Sequence, residues 1–180
     1  MKALVALLDP PSTQRVKALW DELEHRFHLS GVRSFPYPHV SFNILGEYGT
    51  GKVDTELRAI TARLKPFTIH TAGLGIFLSP EPVIYIPVVR SPALDQVHQQ
   101  LWQAFPQKAD SGGGLYSPEQ WVPHITLAVD DLTRELLPQV VTFLSDVDFH
   151  WAIRLEGLSF AVKTETGYEF RCGCKFGEET

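Results

Sequence analysis

Residues 36–45 read PYPHVSFNIL and set a histidine and a hydroxyl two positions apart inside an apolar run. Alternate residues of a strand share a face, so His39 and Ser41 point one way while Val40 and Phe42 point the other. The apolar pair needs a core, which leaves the polar pair on an open face. Residues 121–129, WVPHITLAV, repeat the device with His124 and Thr126 against Ile125 and Leu127, again with a proline before the histidine. At the first residue of a strand the N–H that proline lacks is not required. The H-x-S of His28–Ser30 lacks both the proline and the alternation, lies at the end of a helical pattern beside Gly31, and is a chance match.

Similar elements surround each motif strand. Residues 2–8 form an apolar strand, and residues 10–27 carry Val16, Leu19, Trp20, Leu23 and Phe27 at helical spacing, with Ser12 or Thr13 as the expected cap. After the strand at 39–45, Val53, Leu57, Ile60 and Leu64 mark a second helix. Residues 67–78 and 83–89 read as a hairpin across SPEP. The stretch 91–105 is a helix capped by Ser91, with Pro92 in its first turn and Leu94, Val97, Leu101 and Phe105 inward. A further helix is expected within 131–145, where Pro138 either kinks it or marks its true start. Residues 149–162 and 167–176 close the chain as another hairpin.

Landmarks in the two halves correspond. Pro11 and Pro92, Leu19-Trp20 and Leu101-Trp102, His39 and His124, and Ile69-x-x-x-Gly73-Leu74 and Ile153-x-x-x-Gly157-Leu158 are offset by 81 to 85 residues, with the differences absorbed in loops. The spacing predicts an internal duplication, about 1–80 and 81–180, within a single bilobal domain spanning 1–180. The expected fold is α+β: two pseudo-symmetric lobes, each an antiparallel sheet with outer helices, and a groove between them. His39 and His124 would then approach from opposite walls.

A chain of 180 residues supports one substantial core, and no apolar run approaches the roughly 20 residues that cross a bilayer. A net charge of −5 argues against coating long nucleic acid, which requires many phosphates to be neutralised. A small phosphorylated ligand or an RNA end remains compatible with it. No export signal is recognisable, so a cytoplasmic location is expected, with Cys172 and Cys174 reduced, and a monomer is the expectation for a chain that carries no clear signature of oligomerisation. Their C-x-C spacing is not that of a zinc knuckle.

Two imidazoles on opposite walls of a cleft can serve as acid and base, one neutral and the other protonated near pH 7. The flanking hydroxyls can donate to phosphoryl oxygens, and this chemistry needs no metal or other cofactor. The paired PHVS (38–41) and PHIT (123–126) motifs in a duplicated α+β chain resemble the 2H phosphoesterase superfamily, which includes 2′-5′ RNA ligase-like proteins and RNA 2′,3′-cyclic phosphodiesterases. The resemblance covers nearly the whole chain and implies a metal-independent enzyme with His39 and His124 catalytic and Ser41 and Thr126 at the hydroxyl positions. It implies RNA ends or small cyclic-phosphate nucleotides as partners. Serine at 41 departs from the commoner threonine but keeps the donor.

An anionic substrate calls for a cation, and Arg33 leads into the first motif strand; Lys163 and Arg171 lie on the last hairpin. Tyr37 and Phe35 before the first motif, and Tyr116 and Trp121 before the second, offer stacking faces for a base. SGGGLYS (111–117) lacks a Walker lysine and reads as a flap over the groove. The alternatives are a non-catalytic module binding phosphorylated RNA ends or nucleotides in the same groove, and a zinc hydrolase built on the histidines and cysteines.

Overall fold

The computed structural model describes every residue except 1, 47, 107–112, 166 and 179–180. In chain order the elements are β1 (Lys2–Leu7), α1 (Pro10–Phe27), β2 (His39–Leu45), α2 (Thr50–Thr61), β3 (Phe67–His70), β4 (Gly75–Phe77), β5 (Val83–Pro87), α3 (Pro92–Ala104), β6 (His124–Ala128), α4 (Leu137–Leu144), β7 (Ala152–Leu155), β8 (Gly157–Thr164) and β9 (Gly167–Lys175). Short 3-10 turns occupy Gly31–Ser34 and Gly113–Tyr116. The class is α+β with antiparallel pairing between the strands.

The helices bury the predicted faces. On α1, Val16, Trp20 and Leu23 are buried, and Leu94, Val97, Leu101 and Phe105 are buried on and just beyond α3. Ser91 caps α3 as expected, its side chain accepting from Leu94 N. The cap of α1 is Asp9, not Ser12 or Thr13: its carboxylate accepts from Ser12 N at 2.9 Å. Pro10 and Pro11 fill the first turn, where a missing N–H costs nothing, so capping passes to the residue before them. Pro138 lies in the first turn of α4 and marks its start.

Strand pairing departs from the two expected hairpins. Gly73 adopts a φ of 70°, in the left-handed region, and divides the expected strand at 67–78. Residues 75–77 pair with β5 as expected, whereas 67–70 pair with β7. Likewise β8 and β9 form the closing hairpin, while β7 leaves it for β3. The three sheets run β2-β1-β8-β9, β4-β5-β6 and β3-β7.

Sequence halves and sheets therefore interleave. The sheet containing β1 and β2 takes β8 and β9 from the C-terminal half, and the sheet containing β5 and β6 takes β4 from the N-terminal half. Ile69 and Ile153, matched by the sequence offset, are direct partners in the β3–β7 pair. Two equivalent residues opposite each other in an antiparallel pair are related by a local twofold axis between the strands. Exchange of β4 and β8 across it ties both sheets to one core, which runs from Leu4 and Trp20 to Ile125 and Phe160. No helix among the described residues is long and apolar enough to cross a membrane. Cys174 is disulfide-bonded, which corrects the expectation of reduced thiols.

Candidate active site

Both motif strands are edge strands, β2 of one sheet and β6 of the other. His39 lies opposite Leu7 and Ser41 opposite Val5; His124 lies opposite Pro87 and Thr126 opposite Tyr85. Each ladder carries one irregularity at the same point, between Leu4 and Val5 and between Ile84 and Tyr85. An edge strand leaves carbonyls without ladder partners. The indole of Trp20 donates to Thr126 O at 3.1 Å, and that of Trp121 donates to Ser41 O at 3.0 Å. Trp20 lies on α1 of the N-terminal half and Trp121 just ahead of β6, so a residue from each half satisfies the other half's motif strand.

The two histidines are held alike. Nδ1 of His39 lies 2.7 Å from Tyr37 O, and Nδ1 of His124 lies 2.7 Å from Val122 O. A carbonyl can only accept, so Nδ1 carries the hydrogen and a neutral ring is left with its lone pair on Nε2. Burial lowers the His39 pKa to about 4, against the pull of the Tyr37 carbonyl and with a further push from His124. Burial lowers that of His124 as well. Burial thus favours the neutral form of both rings in the free protein.

The ring environments differ. Phe35 meets His39 edge-on at 4.4 Å, while Phe77 and Tyr85 contact His124 at 5.1 and 5.0 Å. A cavity of about 310 Å³ is lined by His39, Ser41 and Thr126, which brings the two motif strands to one space. The Ser41 hydroxyl is hydrogen-bonded to the phenol of Tyr116, whose pKa burial raises.

The remaining predicted residues are less central. The guanidinium of Arg33 is engaged by Asp21 at 2.5 Å and Glu24 at 2.7 Å on α1 and lies outside the cavity lining. Hydrogen bonds to these carboxylates raise its pKa. Tyr37 is 42% exposed and packs on Phe35 and Phe170 beside the cavity. Trp121 is buried and unavailable for stacking at the mouth. Arg171 pairs with Glu169, whereas Lys163 lines the cavity. Residues 111 and 112 of the proposed flap lie outside the described residues, and Gly113–Tyr116 forms a 3-10 turn.

Sequence reasoning missed several contributors. His98 is buried and stacked on Trp121 with ring centroids 3.8 Å apart, behind the carbonyl of Ser41. Asp131 accepts from Ser30 N and Gly31 N, both at 2.6 Å, and clamps the loop that carries Phe35. A Cβ on Gly31 would fall 2.2 Å from Val129 O, so the loop approaches β6 this closely only with glycine there. Asp130 and Tyr168 also line the cavity and carried no motif. Among the described residues no three histidine, cysteine or acidic side chains gather as a metal site.

A family model described as the 2′-5′ RNA ligase superfamily matches residues 9–167. A Bacillus cytotoxicus protein provisionally named a phosphoesterase is 29% identical over 96 residues, and the match spans about half of each chain, 51%. A similarly named Bacillus cereus protein is 24% identical over 136 residues, 72% of this chain and 73% of that one. The crystal structure of TT0787 from Thermus thermophilus superposes with a TM-score of 0.66 at 16% identity over 99% of each chain. That of E. coli LigT complexed with 3′-AMP gives 0.60 at 17% identity over 98% of this chain and 97% of that one, and so shares the fold. With paired histidine motifs on the edges of two interleaved sheets and a family match over most of its length, the chain belongs to the 2′-5′ RNA ligase superfamily of 2H phosphoesterases.

Proposed function

We propose that this protein is a metal-independent phosphoesterase that opens 2′,3′-cyclic phosphates on RNA ends or small nucleotides, with His39 and His124 as its acid and base pair. The observation that carries the reading is the matched tethering of both rings through Nδ1, which leaves both Nε2 atoms as the reactive nitrogens. E. coli LigT, which shares the fold, has been crystallised with 3′-AMP and with NADP+, ligands of the expected class.

In the proposed step, water attacks phosphorus and gives its proton to Nε2 of one neutral ring. The bond from phosphorus to one ribose oxygen breaks, and that oxygen takes a proton from Nε2 of the other, protonated ring. Ser41 and Thr126 donate to the non-bridging oxygens, where charge develops. The reaction needs one proton shared by the pair, so its pH limits belong to the two rings together. Because burial lowers both pKa values, the bell of kcat/KM is expected to have its maximum below pH 6.5. Bound phosphate favours the protonated rings and shifts the profile of kcat to higher pH. A kcat/KM maximum at or above pH 7.5 would contradict this electrostatic picture.

The test is hydrolysis of a nucleoside 2′,3′-cyclic phosphate in the presence of a strong chelator. Turnover that survives chelation is expected; binding without product would favour the non-catalytic module, and loss of activity on chelation would favour a metal enzyme. Removing a phosphoryl donor by Ser41→Ala or Thr126→Ala is expected to lower kcat/KM about tenfold to a hundredfold, the scale of one hydrogen bond to a charged group. An unchanged value in both variants would remove the hydroxyls from the reaction.

A further inference from the structure

The two walls of the groove are not equivalent, although their strands are. Val5 and Tyr85 occupy matching places, opposite Ser41 and Thr126. On the His124 wall the Tyr85 ring stacks on Phe77 at 4.1 Å and covers the sheet. It passes so close to β4 that a Cβ on Gly75 would lie 2.3 Å from it. On the His39 wall, small Ala3 and Val5 leave the sheet open as the floor of the cavity of about 310 Å³. The body of a ligand whose phosphoryl group sits between the motifs therefore lies on the His39 side.

Lys163 lines this cavity, is exposed, and has no ion-pair or hydrogen-bond partner among the described residues. His39 is opposite Leu7 and Val162 is opposite Lys2, on the strands that flank β1, so their levels are five residue steps of β1 apart, roughly 17 Å at about 3.3 Å each. One phosphoryl group cannot meet both ends of that span. The floor between them is apolar, and Phe35 and Tyr168, 4.5 Å apart edge-to-face, stand beside it. Asp130, the one carboxylate among the lining residues, accepts from ligand N–H or O–H groups and acts electrostatically on Tyr168, the strand partner of Lys163, so the lysine is the group at that end that can take a second negative group.

Building on the phosphoesterase reading, we propose that Lys163 recognises a second phosphoryl group, carried on the 5′ oxygen of the nucleoside whose 2′,3′ edge faces the histidines. The preferred substrates are then 5′-phosphorylated, whether a mononucleotide or the last residue of an oligonucleotide.

Calorimetric binding of adenosine 3′-phosphate and adenosine 3′,5′-bisphosphate tests this without requiring turnover. The wild type is expected to prefer the bisphosphate by about fivefold at low salt, the scale of one exposed ion pair, and by less as salt rises. Lys163→Gln is expected to bring the ratio close to one, Lys163→Arg to keep it, and the surface control Lys65→Gln to leave it as in the wild type. Equal affinities in the wild type, a preference that persists in Lys163→Gln, or binding of neither nucleotide would overturn the proposal. A dinucleotide ending in a 3′-phosphate, compared with the bisphosphate, distinguishes an internal phosphodiester from a terminal 5′-phosphate. A preference lost in Lys163→Gln, with no turnover of any cyclic phosphate by the wild type, would sink the phosphoesterase reading and leave this one standing.

Discussion

His39→Ala and His124→Ala are each expected to lower kcat for a nucleoside 2′,3′-cyclic phosphate by about a hundredfold to ten-thousandfold, the range a positioned acid or base supplies. The expectation rests on matched tethers: each Nδ1 is bound to the carbonyl two residues upstream, so neither ring can turn its other nitrogen to the groove without losing that bond. Because acid and base act in one displacement, the double variant should be scarcely slower than either single one. Near-wild-type kcat in either variant would show that the ring concerned transfers no proton. Thermal unfolding of each variant should stay close to wild type, since both rings are only partly buried and neither belongs to the core. That separates lost chemistry from lost fold.

Phe42→Ala is expected to destabilise the fold by about 3–5 kcal/mol. Phe42 is fully buried on the opposite face of the strand that presents His39 and Ser41. Its ring lies 5.3 Å from that of Trp121 and 6.5 Å from that of His98, so truncation leaves a void where β2 meets α3 and the approach to β6. The surrounding side chains belong to separate elements and cannot all move into the gap. A denaturant titration reads the effect as a lower midpoint at unchanged slope. A loss below about 1 kcal/mol would mean that the junction collapses freely, contrary to close packing behind the motif.

The chain's local structure was legible wherever the deciding residues are close in sequence. The strand His39–Leu45 follows from its alternation and the preceding proline, and the start of α3 follows from Ser91 and Pro92. The pairing of β3 with β7 was not legible, because its partner lies some eighty residues away and the break at Gly73 is a single torsion. Nor was the exchange of β4 and β8 between the sheets: periodicity tells which face of a strand is buried but not which neighbour it joins.

The proposed site shows the same division. His39, Ser41, His124 and Thr126 stood out because spacing of two puts each pair on one face of a strand. Arg33 looked equally available, yet Asp21 and Glu24 meet it from the facing helix, a contact set by tertiary packing. The depressed pKa values come chiefly from desolvation, which no motif encodes. His98 was unreadable for a related reason: its stack on Trp121 joins two elements that only the fold brings together.

At the centre of the proposed mechanism, two neutral, equivalently tethered rings face one phosphoryl group. Imidazole nitrogen NMR, recorded across pH with and without inorganic phosphate, tests this most directly. His39 and His124 in the free protein are both expected to hold their hydrogen on Nδ1 and to titrate below pH 6.5, and phosphate is expected to raise both pKa values together. Rings protonated on Nε2 when neutral, or a phosphate response confined to one of them, would contradict it.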